Sequence, residues 1–237
     1  MSGASLLMRS MTPGCVAPGA AAAAGGLTIG FRWGGVLRVA AAATTSNGVS
    51  VPNAFVRIAP DNSVTVIIKH VEMGQGTYTG LATILAEELD ADWPQVRAES
   101  ALADARLYNN LLLGTKQAGG STAVANSWDQ LRQVGATARA ILVAAAAADW
   151  RVPVSEITVE RGVVKHSPSG RRATFGALAG KAAAQPIPVA TDGVKPKEPN
   201  NYRLIGQRLP RLDTAGKTDG TARIRTLPIG TTQLKGV

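Results

Sequence analysis

Two short glycine-containing segments carry the residue types best suited to bind a ligand. They are residues 73–76, MGQG, and residues 117–122, QAGGST, and each directly precedes a helix-like segment. Glycine lets a backbone approach a ligand closely, and the free N–H groups at a helix start favour anions. The Gln75 side chain offers a donor and an acceptor, and the Ser121 and Thr122 hydroxyls could cap the next helix or bind phosphate. The pattern indicates a bulky phosphorylated cofactor lying across two helix N-termini, with simple turns and caps as the alternative.

The elements around the first segment are predicted from their periodicity. The alternation in AFVRIA, the turn composition of PDNS and the β-branched run VTVIIKH predict a hairpin over residues 54–70. The segment TYTGLATILAEELD predicts an amphipathic helix, and VRAES is a candidate third strand. One face of this helix carries Leu81, Ile84, Leu85 and Leu89, and the acidic residues Glu87, Glu88 and Asp90 lie near the other side.

The second segment ends a polar, loop-like stretch over residues 103–120. The long helix predicted after it is rich in alanine, which indicates tight packing, and Gly135 is a candidate bend. EITVE and VVKH predict a second hairpin, and Thr174 is a candidate cap for a short helix.

These elements predict an α+β fold in which β-hairpins and a mixed sheet pack with two or three helices, followed by an irregular C-terminal tail. We assign residues 1–45 to a leader, residues 46–190 to a ligand-binding domain, and residues 191–237 to an extended, Pro- and Lys-rich connection. The last fifteen residues show no amphipathic pattern that would place them in a packed element.

The leader resembles an export signal. Arg9 is followed by a 16-residue apolar stretch that is too short and too rich in Gly and Pro for a transmembrane helix. A twin-arginine signal carries two adjacent arginines, but Ser10 follows Arg9 here. We expect a periplasmic or membrane-associated protein whose twin-arginine pair is incomplete, with a disordered alanine-rich leader as the alternative.

Charge and cysteine content narrow the function classes. Residues 161–237 hold 14 Lys and Arg against 4 Asp and Glu, a net of +10, but these basic residues are scattered. We therefore expect their acidic neighbours in missing sequence or a partner chain, and no nucleic-acid partner, because aromatic residues are only 4%. The single cysteine, Cys15, cannot hold an iron–sulfur cluster, which needs about four cysteines.

The two segments together resemble a known family. EMGQGTYTGLATILAEELD, followed by QAGGSTAVANSW, is similar to the molybdenum-binding subunit of the xanthine oxidase and aldehyde oxidase family. The closer likeness is to large subunits of the isoquinoline 1-oxidoreductase and bacterial aldehyde dehydrogenase type, over residue 52 to about residue 222. The resemblance implies that residues 46–190 are part of a molybdopterin-binding domain, and that residues 191–237 hold an extended linker and the truncated start of a following β-rich domain. It also implies that the cofactor, molybdopterin cytosine dinucleotide, contacts Gly74, Gln75 and Gly76 in the first segment and Gly119, Gly120, Ser121 and Thr122 in the second.

The same resemblance implies an activity and partners. The family hydroxylates small molecules, here an aldehyde or an N-heterocycle, using water as the oxygen source. Electrons leave through iron–sulfur clusters, which in this subgroup lie on a small [2Fe-2S] subunit, with a cytochrome as a candidate acceptor. The lone cysteine agrees with clusters on a separate chain.

The sequence also departs from the family pattern. A second glycine-glutamine loop and a C-terminal GxGE glutamate base are not found, so we assign no catalytic residue and no metal ligand. We expect a truncated N-terminal piece, inactive alone, with a frameshift or early stop near residue 223 as its cause. A non-catalytic fragment that binds a phosphoryl ligand is the alternative. Glu72 is expected to be a solvated loop carboxylate, and His70 a strand-end residue rather than a ligand.

Overall fold

The computed structural model describes residues 27–30, 40–41, 54–185 and 194–219. It confirms an α+β fold in which a mixed five-stranded sheet and an antiparallel three-stranded sheet pack with helices. The first sheet holds β1 (Leu27–Gly30), β2 (Ala40–Ala41), β3 (Ala54–Ile58), β4 (Val64–Ile68) and β5 (Val96–Ser100), and the second holds β6 (Ile157–Glu160), β7 (Val163–His166) and β8 (Arg171–Thr174). The helices are α1 (Thr77–Leu89), α2 (Ala105–Tyr108), α3 (Ala123–Trp150), α4 (Phe175–Ala183) and α5 (Thr214–Thr218).

The first predicted hairpin is confirmed. β3 and β4 pair antiparallel with Val56 opposite Val66, and the Asp61 carboxylate fixes the turn by accepting from the Ser63 backbone N–H at 2.9 Å. The chain then crosses over through α1 to β5, which pairs parallel with β4, so VRAES is confirmed as a strand. The strand order is β2-β1-β3-β4-β5. The MGQG segment lies in the connection between β4 and α1.

Part of the predicted leader lies in this sheet. β1 pairs antiparallel with β3, and β2 continues the sheet beyond β1. The remainder of residues 1–45 lies outside the described residues, as do residues 220–237. The export signal and the domain boundaries therefore stay predictions.

The longest helix packs tightly against α1. α3 runs unbroken for 28 residues through Gly135, where the sequence indicated a candidate bend. A Cβ atom at Gly135 would lie 2.5 Å from the Leu85 carbonyl oxygen and 2.8 Å from the Glu88 Cβ. The glycine is therefore required by the close approach of two backbones. The buried alanines of α3 confirm the expected tight packing.

One apolar core joins the sheets and helices. Phe55, Ile68, Leu85, Ile141 and Leu178 are each at most 2% exposed. Burial of each such side chain stabilises the fold by about 1.5–3 kcal/mol. The second hairpin, β6–β7, is also confirmed, and the Thr174 hydroxyl caps α4 by accepting from the Ala177 N–H at 3.3 Å.

The acidic side of α1 is buried, although its pattern resembled a solvent-facing side. Glu87 and Glu88 are 1% and 0% exposed, because residues 194–213, here called the strap, cover them. Glu87 accepts from three successive backbone N–H groups of the strap, those of residues 203–205, at 2.6–3.0 Å. Burial raises the pKa of Glu87, but these N–H groups and Lys197 outweigh it and hold the pKa below its ordinary value.

The partners of the basic tail were wrongly expected outside the chain. Lys197 lies 3.0 Å from Glu87 and 2.6 Å from Asp90, and Arg203 lies 3.7 Å from Asp90. Arg139 of α3 also pairs with Asp90 at 3.0 Å. The strap is thus fixed along α1 by charge pairs within one chain.

None of the helices that the structure describes is long and apolar enough to cross a membrane.

Candidate functional site

The structure brings the two predicted segments to the same end of a helix pair. α1 and α3 run side by side in the same direction, since Gly80 and Val124 in their first turns line one cleft and Gly135 meets Leu85 further along. The chain just before the first segment contacts the second, since the His70 Nδ1 atom lies 3.3 Å from the Gln117 carbonyl oxygen. The loops can therefore present their backbones to one ligand.

The first segment folds around the Glu72 carboxylate. One oxygen accepts from the N–H groups of Gly74 and Gly76 at 2.7 and 3.1 Å. The other accepts from the Tyr78 N–H at 2.9 Å and the Thr77 hydroxyl at 3.1 Å. The side chain is 5% exposed, so the expectation of a solvated carboxylate was wrong.

Glu72 supplies the anion at the start of α1. Burial raises the pKa of Glu72, but the N–H groups of Tyr78, Gly76 and Gly74 together hold it below the ordinary value. The carboxylate is thus kept ionised where the helix dipole favours negative charge. The sequence pattern left the N–H groups of Gly74, Gly76 and Tyr78 available for an external anion, but in the structure they donate to Glu72.

Gln75 is partly used by the same loop. Its Oε1 accepts from the Met73 N–H at 2.5 Å, and its Nε2 donates to the Val71 carbonyl at 2.6 Å. A carboxamide has two acceptor lone pairs and two N–H donors, so one of each remains for a ligand. Gly74 and Gly76 have φ values of +106° and +90°, which explains why both positions are glycine. The assignment of these three residues to the pterin stays a prediction.

The second segment starts α3 without a side-chain cap. Gly120 and Ser121 have φ values of +58° and +54°, and Thr122 occupies the N-cap position. The Thr122 hydroxyl donates to the Gly119 carbonyl at 2.8 Å and accepts from the Asn110 amide at 2.7 Å. The predicted cap is therefore at the right residue, but its side chain does not cap the helix. The first-turn N–H groups of α3 lack intrahelical partners, and no side chain caps them at the N-cap.

Buried polar residues lie between β4 and α3. Lys69 donates to the Gln130 side chain at 2.7 Å, and burial lowers the pKa of Lys69 to about 8. His70 is 1% exposed and lies two residues after the end of β4, near the strand end that the sequence predicted, and its Nε2 forms no hydrogen bond of normal geometry in the described part of the chain. Burial and the neighbouring Lys69 lower the pKa of His70. The Ser127 hydroxyl is likewise buried and unpartnered among the described residues.

The strap and α5 each add a cation that no local sequence pattern indicated. Arg211 donates to the Gly74 carbonyl at 3.3 Å and pairs with Asp213 through two nitrogens at 3.1 and 3.0 Å. Lys217 also pairs with Asp213 and lies 4.0 Å from Glu72. Arg211 and Lys217 are 42% and 45% exposed, so both can also meet a ligand. Their distance in sequence from MGQG left no local signal.

A cleft of about 320 Å³ opens next to both helix starts. It lies between the first turns of α1 and α3 and the strap, and its walls include Trp128, Ile205 and Leu209. Gly80 faces this space, since a Cβ there would meet nothing within 4 Å. A glycine inside a helix costs about 1 kcal/mol relative to alanine, and no close packing requires this one.

The donor set suits an anionic, phosphate-bearing group. Backbone N–H groups at the α3 start and the Ser121 hydroxyl favour negative charge, whereas the Arg211 and Lys217 cations are already paired with Asp213. Among the described residues, no group of three or more His, Cys, Asp or Glu side chains could hold a metal ion.

Comparisons with known proteins show the family to which the chain belongs. Residues 20–213 match the family described as the molybdopterin cofactor-binding domain. The isoquinoline 1-oxidoreductase subunit beta of Brevundimonas diminuta is 35% identical over 84% of this chain and 30% of its own length. The membrane-bound aldehyde dehydrogenase (pyrroloquinoline-quinone) of Gluconacetobacter polyoxogenes is 35% identical over 74% of this chain and 22% of its own.

A solved structure is also similar. The quinoline 2-oxidoreductase of Pseudomonas putida 86 matches 55% of this chain and 16% of its own, with 24% identity and a TM-score of 0.42. The chain spans less than a third of the curated relatives it matches. Because the family match covers most of the sequence, including both glycine segments and the strap, the chain belongs to the molybdopterin cofactor-binding domain family.

Proposed function

We propose that this chain binds molybdopterin cytosine dinucleotide and forms the cofactor-binding portion of a molybdenum hydroxylase large subunit. The observation that carries the proposal is the uncapped start of α3 beside the MGQG loop. Gly119 and Gly120 let the α3 backbone approach a phosphate, and the Ser121 and Thr122 end of the loop supplies polar contacts. Gly74, Gln75 and Gly76 present a rigid loop edge with one amide donor and one acceptor of Gln75 left for the pterin.

The bound cofactor supplies the redox centre for adding oxygen from water to an aldehyde or an N-heterocycle. Both substrate classes are supported by the two curated relatives, of which one is an isoquinoline oxidoreductase and the other an aldehyde dehydrogenase. No residue of this chain is assigned a catalytic role. Hydroxylation therefore requires parts of the large subunit beyond the surfaces described above, and the chain is inactive alone.

The relative from Brevundimonas diminuta is named as a subunit, which supports a multi-subunit assembly. In this proposal a small [2Fe-2S] subunit takes the electrons and a cytochrome accepts them next. The proposal also includes a periplasmic or membrane-associated location, which the export-like leader supports.

The proposal is tested on the chain produced in a host that makes the cofactor. Molybdenum, the fluorescent oxidation product of the pterin and released cytidine monophosphate are measured per chain. We expect all three in equal amounts. Gly120→Ala, which forces a side chain into a left-handed backbone next to the ligand, should lower all three about tenfold.

Gly170→Ala is the matched control. Gly170 also has a positive φ, +67°, with open space around a Cβ, but it lies between β7 and β8. Its variant should retain the cofactor at the wild-type level. Equal losses in both variants, or no pterin in the wild type, would contradict the proposal. A cytosine nucleotide without pterin and molybdenum would support a non-catalytic phosphoryl-ligand-binding fragment instead.

A further inference from the structure

The strap runs along α1 from its C-terminal end back to the MGQG loop. Lys197 is fixed at Asp90, and the backbone of residues 203–205 is fixed at Glu87. The Leu212 N–H then donates to the Thr79 hydroxyl at 3.1 Å, in the first turn of α1. These anchors place Arg211 directly over the loop.

Arg211 is held in a defined orientation. Its Nε and Nη2 atoms bind the two oxygens of Asp213 at 3.1 and 3.0 Å, a bidentate geometry that fixes the guanidinium plane. The Nη1 atom donates to the Gly74 carbonyl at 3.3 Å, and Nη2 lies 3.6 Å from Glu72. The pKa of Asp213 is lowered to about 2, chiefly by its hydrogen bond from Arg211.

The loop needs such polar contacts because apolar packing does not hold it. Met73 is 71% exposed, Gly74 and Gln75 are exposed, and a Cβ at Gly74 or Gly76 would meet nothing within 4 Å. Glu72 binds the Gly74 N–H from within the fold, and Arg211 binds the Gly74 carbonyl from the strap. Both backbone polar groups of one residue are thereby fixed from opposite sides.

We infer that Arg211 is a positioning residue that orders the MGQG loop for the cofactor. This inference rests on the proposed function for its ligand. Ordering a binding loop before the ligand arrives removes an entropic cost from binding. Arg211 therefore contributes to cofactor affinity through Gly74.

Three variants of the full chain test the inference. Arg211→Gln removes the charged donor, Arg211→Lys keeps one ammonium donor, and Arg208→Gln changes an exposed arginine of the same strap. Amide hydrogen exchange of Gly74 and Gly76, pterin content per chain and the free energy of unfolding are measured for each.

We expect Arg211→Gln to speed exchange at Gly74 and Gly76 about tenfold and to lower pterin retention similarly. Arg211→Lys should restore part of both effects, and Arg208→Gln should match the wild type. The unfolding free energy of Arg211→Gln should differ little from that of Arg208→Gln, because the Arg211 side chain is exposed. A large loss of stability in Arg211→Gln alone would show a purely structural role and would overturn the inference.

Exchange at Gly74 and Gly76 that is equal in Arg211→Gln and Arg208→Gln would overturn the inference. Faster exchange with unchanged pterin retention would also overturn it, because the loop order would not matter to the ligand. Absence of pterin from the wild type would contradict the proposed function, and the exchange rates would then decide whether Arg211 orders the loop.

Discussion

The starts of α1 and α3 differ although their sequences are similar. Both follow a glycine segment, but α1 begins on a buried carboxylate, Glu72, which accepts from the Gly74, Gly76 and Tyr78 N–H groups. α3 begins at Thr122, whose hydroxyl is turned to Gly119 and leaves the helix without a side-chain cap. The first loop is closed by an internal anion, and the second is open to an external one.

This difference shows that a glycine segment before a helix does not define an anion site by itself. The side chains that reach the free N–H groups decide whether a ligand can use them. In this chain the first loop gives a rigid surface, and the second gives donors. Variants of the two loops test this difference between a closed first loop and an open second loop.

Removal of the internal anion should have the largest effect. Glu72→Ala leaves the N–H groups of Gly74, Gly76 and Tyr78 without their acceptor and should lower the free energy of unfolding by about 3 kcal/mol in urea denaturation. Glu99→Ala is the control, because Glu99 makes an exposed pair with Arg57 worth at most about 1 kcal/mol. Equal losses in the two variants would show that Glu72 does not close the first loop.

The spacing of the two loops depends on Gly135. A side chain there would collide with the Leu85 carbonyl, so Gly135→Ala should lower the free energy of unfolding by about 2 kcal/mol. Gly80→Ala adds the same atom to α1 in open space and should raise it by up to about 1 kcal/mol. Thermal denaturation of both variants checks the pair, and a stable Gly135→Ala would contradict the observed helix contact.

Backbone strain in the open loop should be measurable. Ser121 has a φ of +54°, so Ser121→Gly should raise the free energy of unfolding by up to about 1 kcal/mol while lowering retention of the cofactor. Arg161→Gly relieves a similar φ of +47° in the β6–β7 turn and should leave retention unchanged. A stabilised Ser121→Gly variant with full cofactor content would show that the Ser121 hydroxyl does not contribute to cofactor binding.

The smallest expected effect is a pH dependence that belongs to the closed loop. The pKa of Glu72 in the folded chain is below the ordinary value of 4.5, because the loop N–H groups stabilise the carboxylate. The stabilisation is therefore complete above pH 4.5 and is lost as pH falls through the folded pKa. The difference in unfolding free energy between the wild type and Glu72→Gln should therefore shrink in acid. The pKa of Glu87 is also held below its ordinary value, but Glu87 is present in both proteins and cancels from the difference. A constant difference from pH 7 to pH 3 would contradict the role of the ionised carboxylate.

Local patterns predicted most of the elements. The β3–β4 hairpin, α1, α3 and the Thr174 cap follow from alternation, helical period and turn residues that lie close together in the chain. Whether such a segment forms a strand, a helix or a cap is decided by residues close together in the chain, so the sequence is sufficient to predict these elements.

Contacts between distant residues were not predicted. Arg211 and Gly74 are separated by 137 positions, and Lys197 and Glu87 by 110. An acidic residue on a helix looks solvent-exposed unless the segment that covers it is known, so Glu87 and Glu88 were placed on the polar side. Glu72 was also misplaced, because its carboxylate oxygens meet their N–H donors only when the glycine turn folds back over the side chain.

The division between the loops is tested most directly by an NMR titration of the chain with cytidine diphosphate. Backbone amide shifts are followed in residues 119–125 and in residues 74–78. We predict saturable shifts in residues 119–125, with the amides of Gly74, Gly76 and Tyr78 unchanged because Glu72 retains them. Shifts centred on residues 74–78, or no saturable shift at residues 119–125, would contradict an open second loop beside a closed first one.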